Sequence, residues 1–399
     1  LALDRAEIRR RNLIPPEAIP YKTPIGPTYD SGDFPRMLAS ALARAEYASF
    51  EARRKDAAVR HRLRGIGIAC FVESSGIAPS KLAGAMGARA GFFEAAEIRV
   101  DAKGGVHAAL GTHSHGQGHA TTFAQILASR LGVKLSTIRI LEGDTAAVPF
   151  GTGTFGSRSI AVGGSALDRA ATKIINKGRR LAAHMLEAAE ADIVFAAGEF
   201  AVAGTDRRIA FGDVAQAANR AHSLPAEMEP GLNESAFYDP PNFAFSNGAQ
   251  VCEVEIDPES GEARLVGYWA VDDVGTVINP MVVEGQVHGG LAQGIGQVLF
   301  ERTVYDPESG QLLTGSFLDY AIPRADDLPA FVTEIDQSQP CTHNPLGAKG
   351  CGESGAIGAP AAVTSAVLDA LASLGVTDLE MPLTPERIWR AIRTTQRSQ

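Results

Sequence analysis

The chain has no basic block, no C-x-x-C pair and no apolar run that reads as a membrane span. Its 37 Lys and Arg are outnumbered by 46 Asp and Glu, for a formal net charge of −9. That balance excludes nucleic acid and an anionic membrane as main partners. The four cysteines, Cys70, Cys252, Cys341 and Cys351, fit neither a zinc nor an iron–sulfur spacing. They read as free thiols in a reducing compartment, so the expected location is the cytoplasm. The first residues, Leu1-Ala2-Leu3-Asp4-Arg5-Ala6-Glu7, contain neither a Met nor the apolar core of a signal peptide. They read as a chain entered in mid-sequence.

A chain of 399 residues that is 45% hydrophobic is too long for one compact core, and two lobes are expected. Residues 1–60 read as an arm and a helix. A charged helical stretch ends near Asn12, Pro15, Pro16 and Pro20 follow, and Asp33 opens a helix running toward Arg60. Residues 61–240 form the first expected lobe: a strand at Gly65–Val72, a hairpin around Lys103-Gly104-Gly105, a helix at Thr121–Leu131 ending on Gly132, and a long helix from Ser165. Residues 241–399 form the second lobe and repeat the plan. Strands at Gln250–Ile256 and Ala263–Asp272 precede a glycine-rich segment, a helix at Gly289–Phe300, and a last helix at Pro360–Leu374. The expected class is α+β, two lobes of mixed sheet and helix related by an internal structural repeat.

Glycine is abundant, at 42 residues, and much of it is clustered in four segments. Such clusters mark places where backbone approaches something closely or takes positive φ. Gly116-Gln117-Gly118-His119 lies between a strand and a helix, where backbone N–H groups can face an anion. His113, His115 and His119 lack the spacing of a helical metal pair, and no protein-ligated metal is expected. Gly151 to Ser159 holds three glycines, four hydroxyls and Arg158, the donor inventory for a phosphate, without a Walker or dinucleotide fingerprint. In the third segment, Gly289, Gly290 and Gly294 enter a helix, where each costs about 1 kcal/mol against Ala, so close packing or a ligand is required there. The fourth, Gly347-Ala348-Lys349-Gly350-Cys351-Gly352-Glu353, presents one acid with little steric cover, suited to a general base if the surroundings are dry.

Taken in order, these segments, with Asn279-Pro280, Glu284-Gly285-Gln286 and Gln293-Gly294-Ile295-Gly296, resemble the molybdenum hydroxylases: xanthine dehydrogenase, aldehyde oxidoreductase and the large subunit of aerobic carbon monoxide dehydrogenase. The resemblance covers nearly the whole chain. It implies a molybdopterin cofactor, commonly its cytosine dinucleotide form in bacteria, with molybdenum held through the pterin and not by protein ligands. By position, Gln117, Gly118 and His119 would contact the pterin or its phosphates. Gly156, Ser157, Arg158 and Ser159 would hold the cofactor beside the metal. Gln293 would reach it from the second lobe, Lys349, Gly350, Cys351 and Gly352 would line the metal site, and Glu353 matches the catalytic glutamate. The implied activity is hydroxylation of an aldehyde, an N-heterocycle or a similar small substrate, with oxygen from water. Electrons would pass to [2Fe–2S] clusters and FAD on partner subunits, a small iron–sulfur subunit and a medium flavin subunit.

Large subunits of this family are about twice as long. The N-terminal half of such a subunit, with the loop that carries the copper-binding cysteine of a carbon monoxide dehydrogenase, would come from the rest of the chain or from a separate partner of a split subunit. Cys351 stands where the family often has Val or another small apolar residue, and reads as a packing variant. Two other readings compete: a cofactor-free scaffold or assembly lobe of the same fold, and an unrelated phosphate- or nucleotide-binding module.

Overall fold

The computed structural model describes residues 3–77 and 79–397. Helix α1 (Arg5–Asn12) starts at Asp4, whose carboxylate accepts from the backbone N–H of Ala6 and Glu7. The Pro-rich arm after it contains a short antiparallel ribbon, β1 (Tyr21–Lys22) with β2 (Thr28–Tyr29). Asp33 caps α2 (Phe34–Arg44) as its sequence position suggests. The helix expected to continue toward Arg60 is divided: Glu46 takes φ +46°, and α3 (Phe50–Val59) starts anew.

The strands that follow are β3 (Leu63–Val72), β4 (Glu94–Val100), β5 (Val106–Leu110), β6 (Ile138–Leu141), β7 (Ile193–Ala196), β8 (Glu199–Val202), β9 (Arg208–Ala210), β10 (Leu232–Tyr238), β11 (Asn247–Ile256), β12 (Ala263–Asp273) and β13 (Phe331–Asp336). The helices are α4 (Ser80–Ala85), α5 (His119–Leu131), α6 (Gly164–Met185), α7 (Phe211–Ala218), α8 (Pro280–Leu299), α9 (Ser354–Leu371) and α10 (Pro385–Arg397).

Two four-stranded sheets share one plan. Their orders are β10-β4-β5-β6 and β3-β11-β12-β13. In each, the first three strands run antiparallel and the last pairs parallel to its neighbour, reached by a helical crossover, α5 in one sheet and α8 in the other. A long helix follows each sheet, α6 packed on β4 and β10, α9 on β3 and β11. The expected internal repeat is therefore a unit of hairpin, glycine segment, helix, parallel strand, glycine segment and long helix.

The edge strands are exchanged between the units. β3 precedes the first unit in the chain but pairs with β11 of the second. β10 precedes the second but pairs with β4 of the first. A lobe border at residue 61 and another at 240 thus do not separate the sheets. Chain order is not spatial order here, because each edge strand finds its pairing partner across the repeat. The first core lies between one sheet and α5, α6 and α7; the second lies between the other sheet and α8, α9 and α10. Helices α1 to α3 cover the opposite face of the second sheet through Met37, Leu38, Ala41 and Phe50 against Ile66, Ile68 and Val251. Residues 193–218 add a three-stranded sheet (β7-β8-β9) and α7.

Two helices begin earlier than their apolar periodicity indicates. Asn279 caps α8 by accepting from Val282 N–H, with Pro280 at the first position. α9 starts six residues ahead of Pro360, which it tolerates inside. α9 with the turn after it, Ser354–Leu374, is long and apolar enough to cross a membrane, so the expectation of no such run does not hold. Its packing makes it a core helix. It runs so close to β3 that a Cβ at Gly67 would stand 1.9 Å from the Ala362 carbonyl oxygen, and one at Gly65 2.1 Å from that of Ala366. Gly290 and Gly294 of α8 likewise meet α9, so a neighbouring backbone explains them, whereas Gly289 faces open space.

A Gly67→Ala substitution should therefore lower stability by about 1–3 kcal/mol through overpacking. Gly84→Ala, in open space on α4, should leave it unchanged or raise it slightly. Urea unfolding of both variants checks this; equal midpoints would refute the close approach.

Candidate cofactor-binding site

All four glycine segments meet at one cavity of about 230 Å³ between the two units. Each segment ends where a helix begins. Gln117 and His119 come from the start of α5; Thr154 to Ser159 from the turn ahead of α6; Asn279, Val282 and Gln286 from the start of α8; and Lys349 to Glu353 from the loop ahead of α9. The turn from Ser159 to Gly163 is a single π-helical turn, which sets Ser159 at the cavity instead of within the regular helix. Four helix N-termini thus turn toward one space, each with backbone N–H groups left over and the positive end of its dipole.

The loops are held by specific contacts. Gly111 and Gly151 lie back to back, so that a Cβ on Gly151 would stand 2.3 Å from the Gly111 Cα. Thr154 accepts from the His113 N–H at 3.0 Å and shares a hydrogen bond with Ser159 Oγ at 2.9 Å. His119 turns Nδ1 to Glu142 at 2.9 Å, which also accepts from Thr112. Nε2 is then the ring nitrogen left for a ligand. Gln117 folds its amide onto His115, accepting from that residue's backbone N–H.

The second and fourth segments touch at Ser157. This residue takes φ +50°, and its Oγ donates to Glu353 Oε2 and accepts from the Glu353 backbone N–H, both at 3.2 Å. A Cβ on Gly350 would fall 1.7 Å from the Ser157 carbonyl oxygen, so only glycine fits there. Glu353 itself is exposed at the cavity rim, and the dry surroundings expected for it are not supplied by the described residues. Cys351 lines the cavity as a half-buried thiol, pushed up to about 12 by burial and by the Glu73 and Asp272 carboxyls. It stays protonated at neutral pH, as a packing residue would.

Three expected site residues are placed elsewhere. Gly118 is beside the cavity but not on its wall; it caps α5 at φ +73°, its α-carbon facing Val282. Gln293 is exposed on α8, outside the lining. Arg158 is wholly buried. Its guanidinium donates to Glu94 at 2.7 Å, to Thr152 Oγ1 at 2.9 Å, and to the carbonyls of Ile77 at 2.7 Å, Gly153 at 3.2 Å and Phe92. Burial lowers the Arg158 proton affinity and raises that of Glu94 despite their pairing. Lys349 is on the wall, but its ammonium is committed to Asp273 Oδ2 at 2.7 Å, with both side chains sealed from solvent. Thr154, Thr276 and Gln286 join the lining although they carry no assigned role in the sequence reading. They alternate with the glycines of the same segments, which was the available signal.

The lining suits a large polar anion. It offers hydroxyls, amides and helix N-termini, and it holds no cluster of metal ligands. Among the described residues, the one group of three or more His, Cys, Asp or Glu close enough to hold an ion is Asp30, Cys341 and His343, away from this cavity. This chemistry agrees with the relatives. Residues 40–329 match the family model described as a molybdopterin cofactor-binding domain, and the chain belongs to that family. It is 41% identical over 397 residues to the carbon monoxide dehydrogenase large chain of Hydrogenophaga pseudoflava, covering 98% of this chain and 49% of that one. It is 40% identical over 389 residues to the nicotine 6-hydroxylase large subunit of Paenarthrobacter nicotinovorans, covering 97% and 47%. A solved CO dehydrogenase from Oligotropha carboxidovorans superposes with a TM-score of 0.92 at 39% identity, over 100% of this chain and 50% of that one. The chain spans about half the length of the curated relatives it matches.

Arg158→Met should cost about 3–5 kcal/mol of stability, because it strands the buried Glu94 carboxylate. Adding Glu94→Gln should recover part of that loss in urea unfolding. Unchanged stability with weakened cofactor binding would instead assign Arg158 to the ligand.

Proposed function

We propose that this chain is the cofactor-binding part of a molybdenum hydroxylase that oxidises a small substrate, an aldehyde, an N-heterocycle or a similar molecule, with water as the oxygen source. The observation that carries the reading is the convergence of four glycine-flanked helix N-termini on one cavity with Glu353 at its rim. The names of the relatives, a carbon monoxide dehydrogenase and a nicotine 6-hydroxylase, support a molybdenum enzyme acting on small molecules.

The bound cofactor, a molybdopterin proposed in its cytosine dinucleotide form, supplies the redox centre that accepts the substrate's electrons. The residues of this chain do the rest. The N-termini of α5 and α6 and the hydroxyls of Thr154 and Ser159 receive the phosphates of the cofactor. Gln117 and His119 Nε2 offer hydrogen bonds along the same wall, and Gln286 offers one from the second unit. Gly350 and Gly352 keep the wall near the metal free of side chains. Glu353 takes a proton from the attacking oxygen as general base, held in place by its two contacts with Ser157. Gly118, Gln293 and Arg158 enter this proposal in support: Gly118 sets the α5 terminus, Arg158 pins the second segment from behind, and Gln293 offers its amide on an exposed face of α8.

The segment that completes a subunit of the relatives' length would close the cavity over Glu353 and raise the effect of every charge inside it. Electrons would leave through [2Fe–2S] clusters and FAD on a small and a medium partner subunit in the cytoplasm, a compartment in keeping with four free cysteines.

Co-production of the chain with its completing segment, followed by metal and pterin analysis, tests the assignment. We expect molybdenum and pterin to co-purify, and dye reduction with a panel of aldehydes, N-heterocycles and carbon monoxide to be found for at least one class. Glu353→Gln should keep the molybdenum and lower kcat by at least about 100-fold, the lower range for a lost general base. An intact complex without molybdenum or pterin would overturn the proposal.

A further inference from the structure

Away from the cofactor cavity, three side chains converge that the proposed reaction does not use. They are Asp30, in the arm just after β2, and Cys341 and His343, in the loop between β13 and α9. Asp30 and the intervening Thr342 are 312 residues apart in the chain, so no local spacing of cysteine and histidine marks the group. One donor atom from each of the three lies within 4.8 Å of the other two. Cys341 Sγ is 3.3 Å from His343 Nε2, and Nε2 is 3.9 Å from Asp30 Oδ2. A tetrahedral zinc ion, bonded at about 2.3 Å to sulfur and about 2.0 Å to nitrogen or oxygen, holds its ligand atoms roughly 3.3–3.6 Å apart. The donors stand near that spacing, and thiolate, imidazole and carboxylate together suit zinc among the divalent ions.

The fold presets these atoms. Thr342 donates to Asp30 Oδ2 through its N–H at 2.8 Å and its Oγ1 at 2.9 Å. The Cys341 N–H donates to the Gly347 carbonyl at 2.9 Å, and the His343 carbonyl accepts from the Tyr238 hydroxyl at 3.1 Å. Cys341 is buried and packs with Ala161 and Ala244. The charges call for a cation. The Asp30 side chain is only 10% exposed, its Oδ1 has no hydrogen-bond partner, and its one ion-pair contact among the described residues is with His343. A buried carboxylate with an unbonded oxygen and no Lys or Arg beside it is costly. His343 Nε2 also stands 2.9 Å from the Phe243 carbonyl oxygen. One ring proton can serve only one of the sulfur and oxygen atoms around Nε2, whereas a divalent ion set among them serves all.

We propose that Asp30, Cys341 and His343 bind a zinc ion, with the Phe243 carbonyl as the oxygen placed for the fourth position. One thiolate and one carboxylate balance the charge of the ion, so the buried site is neutral. Binding changes no oxidation state. The Cys341 S–H bond breaks as the bond to zinc forms, and that proton goes to solvent. The ring proton facing the Phe243 carbonyl moves to Nδ1, which has no other partner. The ion acts as a structural clasp between the N-terminal arm and the loop that runs into Gly350–Glu353, to which Asn344 is already tied by donating to the Ala348 carbonyl at 2.9 Å. A clip across so long a stretch of chain restricts the unfolded state. The site is separate from the proposed molybdenum centre and does not rest on that reading.

Titration of the full chain with Co2+, after stripping with a chelator under reducing conditions, tests the site. Cobalt enters zinc sites and absorbs where zinc does not. We expect one equivalent to give a sulfur-to-cobalt charge-transfer band with the intense d–d bands of four-coordination, and Zn2+ to displace it. Cys341→Ser should abolish the charge-transfer band, and Cys70→Ser should leave it unchanged. Asp30→Asn and His343→Gln keep the sulfur and should weaken Zn2+ binding by at least about 10-fold, the lower range for the loss of a group that merely supports a ligand. They give the reading if Cys341→Ser does not fold. Zn2+ should raise the Tm of the unaltered chain and not that of Cys341→Ser. Absence of the charge-transfer band, a band that survives Cys341→Ser, or Zn2+ affinity unmoved by both Asp30→Asn and His343→Gln would overturn the proposal. Failure of the hydroxylase reading would show separately, as absent molybdenum in the completed complex.

Discussion

The contact of Ser157 with the backbone of residues 350–353 is the constraint on which the site depends. At this point the two repeat units meet with no side chain between them. Ser157 pays for its left-handed backbone with two hydrogen bonds to Glu353, and its carbonyl accepts from Gly76 N–H at 3.2 Å. Gly350 N–H in turn donates to Ser75 Oγ at 3.2 Å. The segment after β3 therefore stitches together the loop of one unit and the loop of the other. Any atom added at Gly350 would separate the loops and take Glu353 away from the wall that holds Thr154 and Ser159.

The glycines make chemical sense in this light. At 111 and 151 they let two loops of one unit pass backbone to backbone; at 350 they let two units do so. The polar groups left facing the cavity, among apolar side chains such as Phe155, Ile160 and Val282, are then largely hydroxyls and amides presented at helix starts. Fixed dipoles of this kind stabilise an anion without the reorganisation that long cationic side chains would require. It is consistent that the two strongest cations near the site, Arg158 and Lys349, are buried in ion pairs with Glu94 and Asp273. Their charges brace the loops.

What the sequence revealed and what it hid follow from range. The glycine segments, the Asp33 cap, the Gly132 helix end and the repeat were legible, because each is written in neighbouring residues. The exchange of β3 and β10 was not, since a strand's pairing partner leaves no local mark. The starts of α8 and α9 were missed because apolar periodicity begins only where those helices enter the core, several residues after Asn279 and Glu353. Arg158 read as a ligand because an Arg among hydroxyls has the same composition whether it points to a phosphate or to a buried acid 64 residues away.

The exchanged strands add a mechanical consequence. Each unit's sheet is completed by a strand from the chain segment that leads into the other, through seven paired positions in β10 with β4 and ten in β3 with β11. The two units are therefore tied by two chain crossings, after β3 and after β10, and the first of these also bonds both site loops through Ser75 and Gly76. The proposed base, Glu353, stands at the start of the helix packed on β3 and β11. Glu353 and the Ser157 hydroxyl that holds it are thereby fixed to one frame, and proton abstraction over a hydrogen-bond distance needs that fixity more than it needs motion.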